Sequence, residues 1–192
     1  MTIQLQDICK SVSGQEILKD INWEIGSDDC WLLTGPAGSG KTMLLRLILR
    51  LEKPDSGSVN LLGDYKYDTV NAGVVFQEDR LCEGFSAVEN VAMVNERLSE
   101  AVAGEELVKF LPRERLTVPV CELNEVERRL VVIIRACIIP SDILLLDEPF
   151  RGMDSALRDK AVAYIRDKAG HKGIVFAQRD DEGLKFCRRY AL

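Results

Sequence analysis

Several features are scarce or missing in this 192-residue chain, and each absence narrows what it can be. It has a single histidine, His171, so no histidine cluster is available for metal or acid–base work. Its six cysteines, at positions 9, 30, 82, 121, 137 and 187, form no C-x-x-C pair. Neither a zinc site nor a disulfide framework is expected, and a reducing compartment fits. The apolar neighbours of Cys30 and Cys137 predict buried thiols. No apolar run approaches the ~18 residues that a membrane-spanning helix needs. The opening residues Met1-Thr2-Ile3-Gln4 contain no basic and apolar leader, so no secretory signal is expected. Positive charge is not in surplus. The net charge of −6 argues against a nucleic-acid binder that works through a general basic surface. No internal repeat or low-complexity tract is visible.

The chain does have 46% hydrophobic residues, enough for a sizeable core, at a length that suits one domain with an inserted lobe. Weak alternation through Ile3, Leu5, Asp7 and Cys9, a turn at Ser13-Gly14-Gln15 and an apolar run from Ile17 to Ile25 predict an antiparallel pair of strands. Cys30-Trp31-Leu32-Leu33 predicts a third strand. Val59–Leu62 and Val74–Phe76 predict short strands, separated from a helix ending near Leu51 by the turn residues Pro54, Asp55 and Gly57. From Asp79 to about Pro119, apolar residues recur at helical spacing in Val88, Val91, Ala92, Leu107, Val108 and Leu111, which predicts a helical insert. Leu123–Ile139 and Ala156–Ala169 read as helices. Ile143–Leu146 and Gly173–Ala177 read as buried parallel strands, and Asp180–Arg189 as a closing helix. His171, just before the last of these strands, is expected to be an exposed turn residue.

Two motifs carry chemistry. Residues Gly35-Pro36-Ala37-Gly38-Ser39-Gly40-Lys41-Thr42 follow a strand and open a helix at Met43. Glycines allow backbone N–H groups to converge on oxyanions, and the positive end of the helix points to the same place. Lys41 suits the β and γ phosphates of a nucleotide, and the Thr42 hydroxyl suits Mg²⁺. The competing reading is a surface turn with an incidental lysine. Farther along, Ile143-Leu144-Leu145-Leu146 ends in Asp147-Glu148. A buried strand would deliver Asp147 to the carboxyl edge of the sheet, where ligands bind in α/β folds. Asp147 could hold Mg²⁺ and Glu148 could orient or deprotonate water. Taken alone the pair could equally be an acidic helix cap after a core strand.

Taken together, these residues resemble the ATP-binding subunit of ABC transporters over nearly the whole chain. Val74-Val75-Phe76-Gln77-Glu78-Asp79-Arg80-Leu81 is similar to the family's Q-loop, Ser86-Ala87-Val88-Glu89-Asn90-Val91 to the segment that opens its helical lobe, and Asp147–Asp154 to its strand-and-D-loop run. The wording FQEDRL and DEPFRGMD looks most like importers of the nitrate, sulfonate and taurine type. The resemblance implies an α/β P-loop NTPase fold of the ABC ATPase type. That fold has a mostly parallel core sheet over residues 1–78 and 140–192, an antiparallel β element, and a helical subdomain over 79–139. It implies ATP and Mg²⁺ as ligands. The metal would be held by Thr42, Gln77 and Asp147, the phosphates by Gly35 to Met43, and the attacking water by Glu148 with Gln77. A transmembrane permease and a second ATPase subunit, identical or different, are the implied partners, with the chain peripheral on the cytoplasmic face of the cell membrane. The permease is expected to dock between Gln77 and the helical lobe. Without these resemblances, Gln77 could be a solvated residue after a strand, and Asp154 could simply cap a helix.

Three positions depart from the family pattern. The signature loop, LSGGQ in the family, reads Leu123-Asn124-Glu125-Val126-Glu127 here. Val126 has a Cβ that disfavours positive φ. Glu125 would bring negative charge towards a phosphate unless it turns outward, and Glu122 and Glu127 add to the acidity. In the place of the switch histidine stands Gln178, which can hydrogen-bond a phosphate but carries no charge. The residue expected to stack on adenine is Val12, an aliphatic contact rather than a ring. The chain also ends soon after its last core element, so no regulatory C-terminal domain is expected. Two functions follow from this pattern. One is an ATPase subunit that couples ATP hydrolysis to import. The other is an ATP-responsive, weakly hydrolysing module that pairs with a more complete subunit. A P-loop small-molecule kinase is a third, poorer reading, because it leaves Gln77 and the Asp-Glu-Pro-Phe run unexplained.

Overall fold

The computed structural model describes residues 1–63 and 69–192, which form two compact units. The first comprises Met1–Val74, Ser141–Asp147 and Ala169–Leu192. It begins with a hairpin of β1 (Thr2–Val12) and β2 (Gln15–Gly26). Ser13 and Gly14 connect them with φ of 53° and 82°. Two left-handed residues in a two-residue loop match the twist of the flanking strands. On its other edge β1 pairs antiparallel with β4 (Ser56–Leu62). Ile3, Leu5 and Ile8 turn inward from β1, and Leu18, Trp23 and Ile25 from β2.

The second sheet of this unit has the order β5-β6-β7-β3-β8, from β3 (Cys30–Thr34), β5 (Ala72–Val75), β6 (Ile143–Asp147), β7 (Gly173–Ala177) and β8 (Arg188–Ala191). Strands β6 and β7 are buried at every residue, as unbroken aliphatic runs in a covered parallel sheet should be. Strand β7 pairs in parallel with β3 and with β6. Its last residue, Ala177, faces Leu33 on one side and Asp147 on the other. The register therefore brings the ends of three strands to one level, at the carboxyl edge. Helix α1 (Lys41–Ile48) starts from that edge and buries Leu44, Leu45, Leu47 and Ile48 in the same core as Ile3, Trp23, Leu33 and Leu145.

The second unit comprises Val75–Pro140 and Glu148–Lys168. It contains α2 (Ala87–Ala92), α3 (Glu100–Leu107), α4 (Glu125–Ile138) and most of α5 (Ser155–Ala169). Helix α2 opens with a capping box, in which Ser86 Oγ accepts from Glu89 N and the Glu89 carboxylate accepts from Ser86 N. Asn90, fully buried, fastens the turn before it: Oδ1 accepts from Cys82 N, and Nδ2 donates to the carbonyls of Cys82, Phe85 and Ser86. Asp154 accepts from Leu157 N and so caps α5.

Three expectations need correction. The predicted closing helix over Asp180–Arg189 does not form: turns lead instead into β8, which pairs in parallel with β3 from Trp31↔Arg188 to Thr34↔Ala191. Gly183 sits at φ 77°, which interrupts a helix. The otherwise unpaired edge of β3 takes up the backbone of β8, and Tyr190 stacks on Trp23 with ring centroids 4.6 Å apart. Such long-range pairing outweighs local propensity. Cys30 is half-buried rather than buried, because it is the first residue of its strand; the buried partner is Cys187, with the two sulfurs 2.8 Å apart. Helix α1 ends at Ile48 rather than near Leu51, and Arg50 at φ 55° turns the chain out.

Gly57 is a sharp test of this packing. It has φ 84°, and a Cβ there would lie 2.4 Å from the carbonyl oxygens of both Gln6 and Asp7. Backbone cannot yield as a flexible side chain can. Gly57→Ala is expected to cost about 2–4 kcal/mol, read as a thermal midpoint lower by roughly 5–15 °C. The matched control is Gly104→Ala in α3, where a Cβ meets nothing within 4 Å. There the melt should move up, by about 0.5–1 kcal/mol in stability.

Candidate functional site

The glycine-rich loop leaves β3 at Thr34 and enters α1 at Lys41. Its glycines are required by geometry. At Gly35, φ is 154° and a Cβ would come within 2.5 Å of Ser39 Oγ and 3.0 Å of the Leu192 carbonyl. Gly40 caps α1 in the left-handed region at φ 96°, and a Cβ would press against Ile17 and Leu18 at 2.8 and 2.7 Å. Gly38 is left-handed too, at φ 79°, with open space around it. Pro36, Ala37 and Gly38 are exposed, and Ser39 N donates to Pro36 O at 3.2 Å. Lys41 is only 6% exposed. Its ammonium folds back to donate to the carbonyls of Gly35 (2.7 Å) and Pro36 (2.9 Å). Met43 is half-buried in the first turn of α1. Val12, 40% exposed, ends β1 opposite Gln15, and that hairpin reaches the loop through Ile17 and Leu18.

Thr42 Oγ1 donates to Asp147 Oδ2 at 2.5 Å, joining residues 105 apart in sequence. Asp147 is fully buried at the end of β6. A hydroxyl and a carboxylate in contact beside a phosphate loop are oxygen donors of the kind Mg²⁺ takes while sharing phosphate oxygens and water. Ser39 Oγ is buried in the loop and has no hydrogen-bond partner among the described residues, a polar atom that an oxyanion would satisfy. The donor set therefore fits a magnesium-bound phosphate chain. Among the described residues no three His, Cys, Asp or Glu side chains converge as a metal-only cage. Gln178 follows β7 at the same edge and is 5% exposed. Its backbone N–H donates to Leu33 O, and its amide Nε2 donates to the carbonyl of Asp180 at 2.9 Å. His171 is an exposed turn residue, with its ring against Asp28 Oδ1 at 2.9 Å.

Gln77 and Glu148 belong to the second unit. Gln77 is exposed just past β5, and its carbonyl accepts from Arg151 Nη1 at 3.2 Å. Glu148 is half-buried with φ 46°, a left-handed conformation that costs a non-glycine residue about 1–2 kcal/mol. Strained backbone of this kind gathers at functional sites. Sequence reasoning passed over the residue that touches both neighbourhoods. Arg129 is completely buried on α4 and donates to the carbonyls of Phe76 and Glu148. The only hint in the chain was a charged residue within a buried helical face.

The N-terminus of α4 is occupied by its own side chains. Asn124 Oδ1 accepts from Glu127 N and the Glu127 carboxylate accepts from Asn124 N, both at 2.9 Å. Glu127 is held in turn by Arg115 through two contacts of 3.0 and 2.8 Å. Glu125 turns aside to Arg151 Nε at 2.7 Å. The Arg115 hydrogen bond, with help from the Asn124 N–H, keeps the Glu127 carboxyl below the ordinary glutamate range despite some burial. A depressed carboxyl stabilises the fold above its unfolded value and stops doing so as pH falls through its folded value. Glu127→Gln should therefore lower stability by about 1 kcal/mol near neutrality. That deficit should shrink as pH falls below the ordinary glutamate value of about 4.3, and vanish once the carboxyl's own depressed folded value is passed. Urea titrations at pH 7 and pH 3.5 check this, and an equal deficit at both values would contradict it.

Comparison with known proteins places this geometry. A family model described as "ABC transporter" matches residues 18–151. The spermidine/putrescine import ATP-binding protein of Fusobacterium nucleatum is 32% identical over 204 aligned positions, covering 99% of this chain and 54% of that protein. The sulfate/thiosulfate import ATP-binding protein of Thermosynechococcus vestitus is 33% identical over 205 positions, covering 95% of this chain and 58% of its own length. The chain thus spans little more than half the length of these relatives. Among solved structures, a dimeric bacterial ABC transporter cassette superposes with a TM-score of 0.84 over 99% of this chain and 94% of that one, at 23% identity, which shows the shared fold.

Proposed function

This chain belongs to the ABC transporter family, as an ATP-binding domain with the P-loop fold, and from that membership we propose that it is the ATP-binding subunit of an importer. In this reading it binds Mg²⁺–ATP at Gly35–Met43, with Val12 against the base. Thr42, Asp147 and Gln77 would hold the metal, whose charge would draw the phosphate oxygens into place. Glu148 directly follows Asp147 in the chain and would take a proton from the attacking water. Gln77 would orient that water, and Gln178 would hydrogen-bond the terminal phosphate. The observation that carries the reading is the Thr42–Asp147 contact beside a loop in which Gly35 and Gly40 leave no room for a Cβ and Gly38 takes a left-handed φ.

The partners in this reading are a transmembrane permease and a second ATPase subunit, identical or different, with the chain peripheral on the cytoplasmic face. No helix among the described residues is long and apolar enough to cross a membrane. The second unit offers a groove of about 590 Å³ whose lining combines Phe85, Ala92, Met93 and Leu98 with Glu89, Glu96 and Glu100. A permease helix with an apolar ridge and basic flanks suits it.

A second reading, the weakly hydrolysing module, is favoured by one specific arrangement. At the start of α4 the N–H groups of Asn124 and Glu127 are taken up by each other's side chains rather than offered to a partner's nucleotide. Turnover separates the two. A parent rate of ~1 s⁻¹ or faster, unmoved by Glu125→Gly with Val126→Gly, supports the coupled ATPase. Binding of ATP with turnover near background, raised by the double substitution, supports the module.

A further inference from the structure

The geometry points to Arg129 as a positioning residue: one buried guanidinium fastens the loop that carries Gln77 to the loop that carries Glu148, and so keeps both in register. This rests on the reading of Gln77 and Glu148 as the water-handling pair. On one side, Arg129 Nη1 donates to Phe76 O at 2.5 Å and to Asp79 Oδ1 at 2.9 Å. On the other, Nη2 donates to Glu148 O at 2.8 Å, and Nε lies 3.3 Å from Pro149 O. Phe76 precedes Gln77, and Glu148 is gripped by its own carbonyl. All of these residues belong to the same unit.

Three features separate this from ordinary core packing. The first is cost. A fully desolvated cation is expensive unless it is paired and hydrogen-bonded, whereas an apolar side chain brings no desolvation cost of its own. Here the charge is balanced by Asp79, itself only 10% exposed. The second is shape. A planar fork of five N–H donors can serve two loops at once, whereas an ammonium is a point with three donors. The third is strain. Glu148 at φ 46° and Arg80 at φ 43° are both left-handed, one in each fastened loop. Backbone held in a sparsely populated region persists only where its surroundings over-determine it. Arg135 and Arg151 also bond the Gln77 loop, through the carbonyls of Arg80 and Asp79 and of Gln77. Arg151 belongs to the Glu148 loop itself and reaches Gln77 O from a side chain 48% exposed, where water competes for the bond, and Arg135 carries no bond to that loop, so Arg129 is the buried tie between the two.

The test uses the full chain and Mg²⁺–ATP. Arg129→Lys should leave the ATP dissociation constant within about threefold and lower kcat about 100-fold, the scale that a 1 Å misplacement produces. Asp79→Asn keeps the guanidinium and should lower kcat about tenfold, which keeps the proposal testable if the lysine variant fails to fold. In a Glu148→Gln background the same changes should have little further effect, because the group they position is already gone. Full additivity there, or a loss of ATP affinity equal to the loss of kcat, would overturn the proposal. If the parent binds ATP without hydrolysing it, the coupled-ATPase reading fails while amide exchange still tests the tie. Segments 76–80 and 148–152 should then exchange about tenfold faster together in either variant, with α2 and α3 unchanged. Loosening of one segment alone, or of the whole unit, would refute it.

Discussion

Lys41→Ala is expected to weaken Mg²⁺–ATP binding by about 10²–10³-fold, which titration calorimetry would record as near-complete loss of signal at micromolar protein. Lys41 is almost wholly buried, and its ammonium already sits on the carbonyls of Gly35 and Pro36. An ammonium with three donors at this place in the loop suits a phosphate by charge and by hydrogen bonding. Charge-assisted hydrogen bonds are worth about 1.5–3 kcal/mol each, so losing two accounts for the loss. Fold should survive, because alanine leaves the left-handed glycines untouched and removes a group that carries no apolar core. A dissociation constant within threefold of the parent's would remove the phosphate site from this loop altogether. Thermal melts with and without nucleotide give an independent check: the parent should gain stability with Mg²⁺–ATP, while Lys41→Ala should not.

Glu148→Gln should act on the other side of the reaction, leaving ATP affinity within about threefold and cutting turnover by ~10²–10⁴, the usual contribution of a positioned general base. Glutamine is nearly isosteric and accepts the same left-handed backbone, and the Arg129 bond is made to the carbonyl rather than to the side chain. On the proposed reading the substitution therefore removes the proton acceptor while keeping the size of the side chain. Single-turnover assays with labelled ATP resolve the chemical step from product release. A turnover unchanged from a parent that hydrolyses at ~1 s⁻¹ would assign the base elsewhere. Turnover equally low in both would match the module reading, in which the self-capped start of α4 and the inward-turned Gln178 withhold groups from the transition state.

Much of the fold was legible along the chain because the signals were local and periodic. Four aliphatics in a row, Ile143 to Leu146, can hardly be anything but a covered strand, and β6 is that strand. GPAGSGKT between a strand and a helix specified its own conformation, since left-handed φ at Gly38 and Gly40 is a demand the residues themselves meet. The last strand was not legible. Asp180 to Arg189 has no strong period, and only the open edge of β3 made β8 a strand. The fate of Glu125 was open too: its charge could have faced a phosphate, yet Arg151, distant in sequence, draws it aside.

Residue type and spacing alone settled the phosphate loop, the acidic strand end and the helical insert, because each depends on steric and periodic rules that act over fewer than a dozen or so residues. Which groups meet was decided by folding. The contact of Thr42 with Asp147, the turning of Glu125 to Arg151 and the burial of Arg129 between two loops all join segments whose approach no local rule encodes. The physical reason is that a hydrogen bond or ion pair is specified by ångström-scale distance and direction, and these are set by strand register and helix packing rather than by separation along the chain.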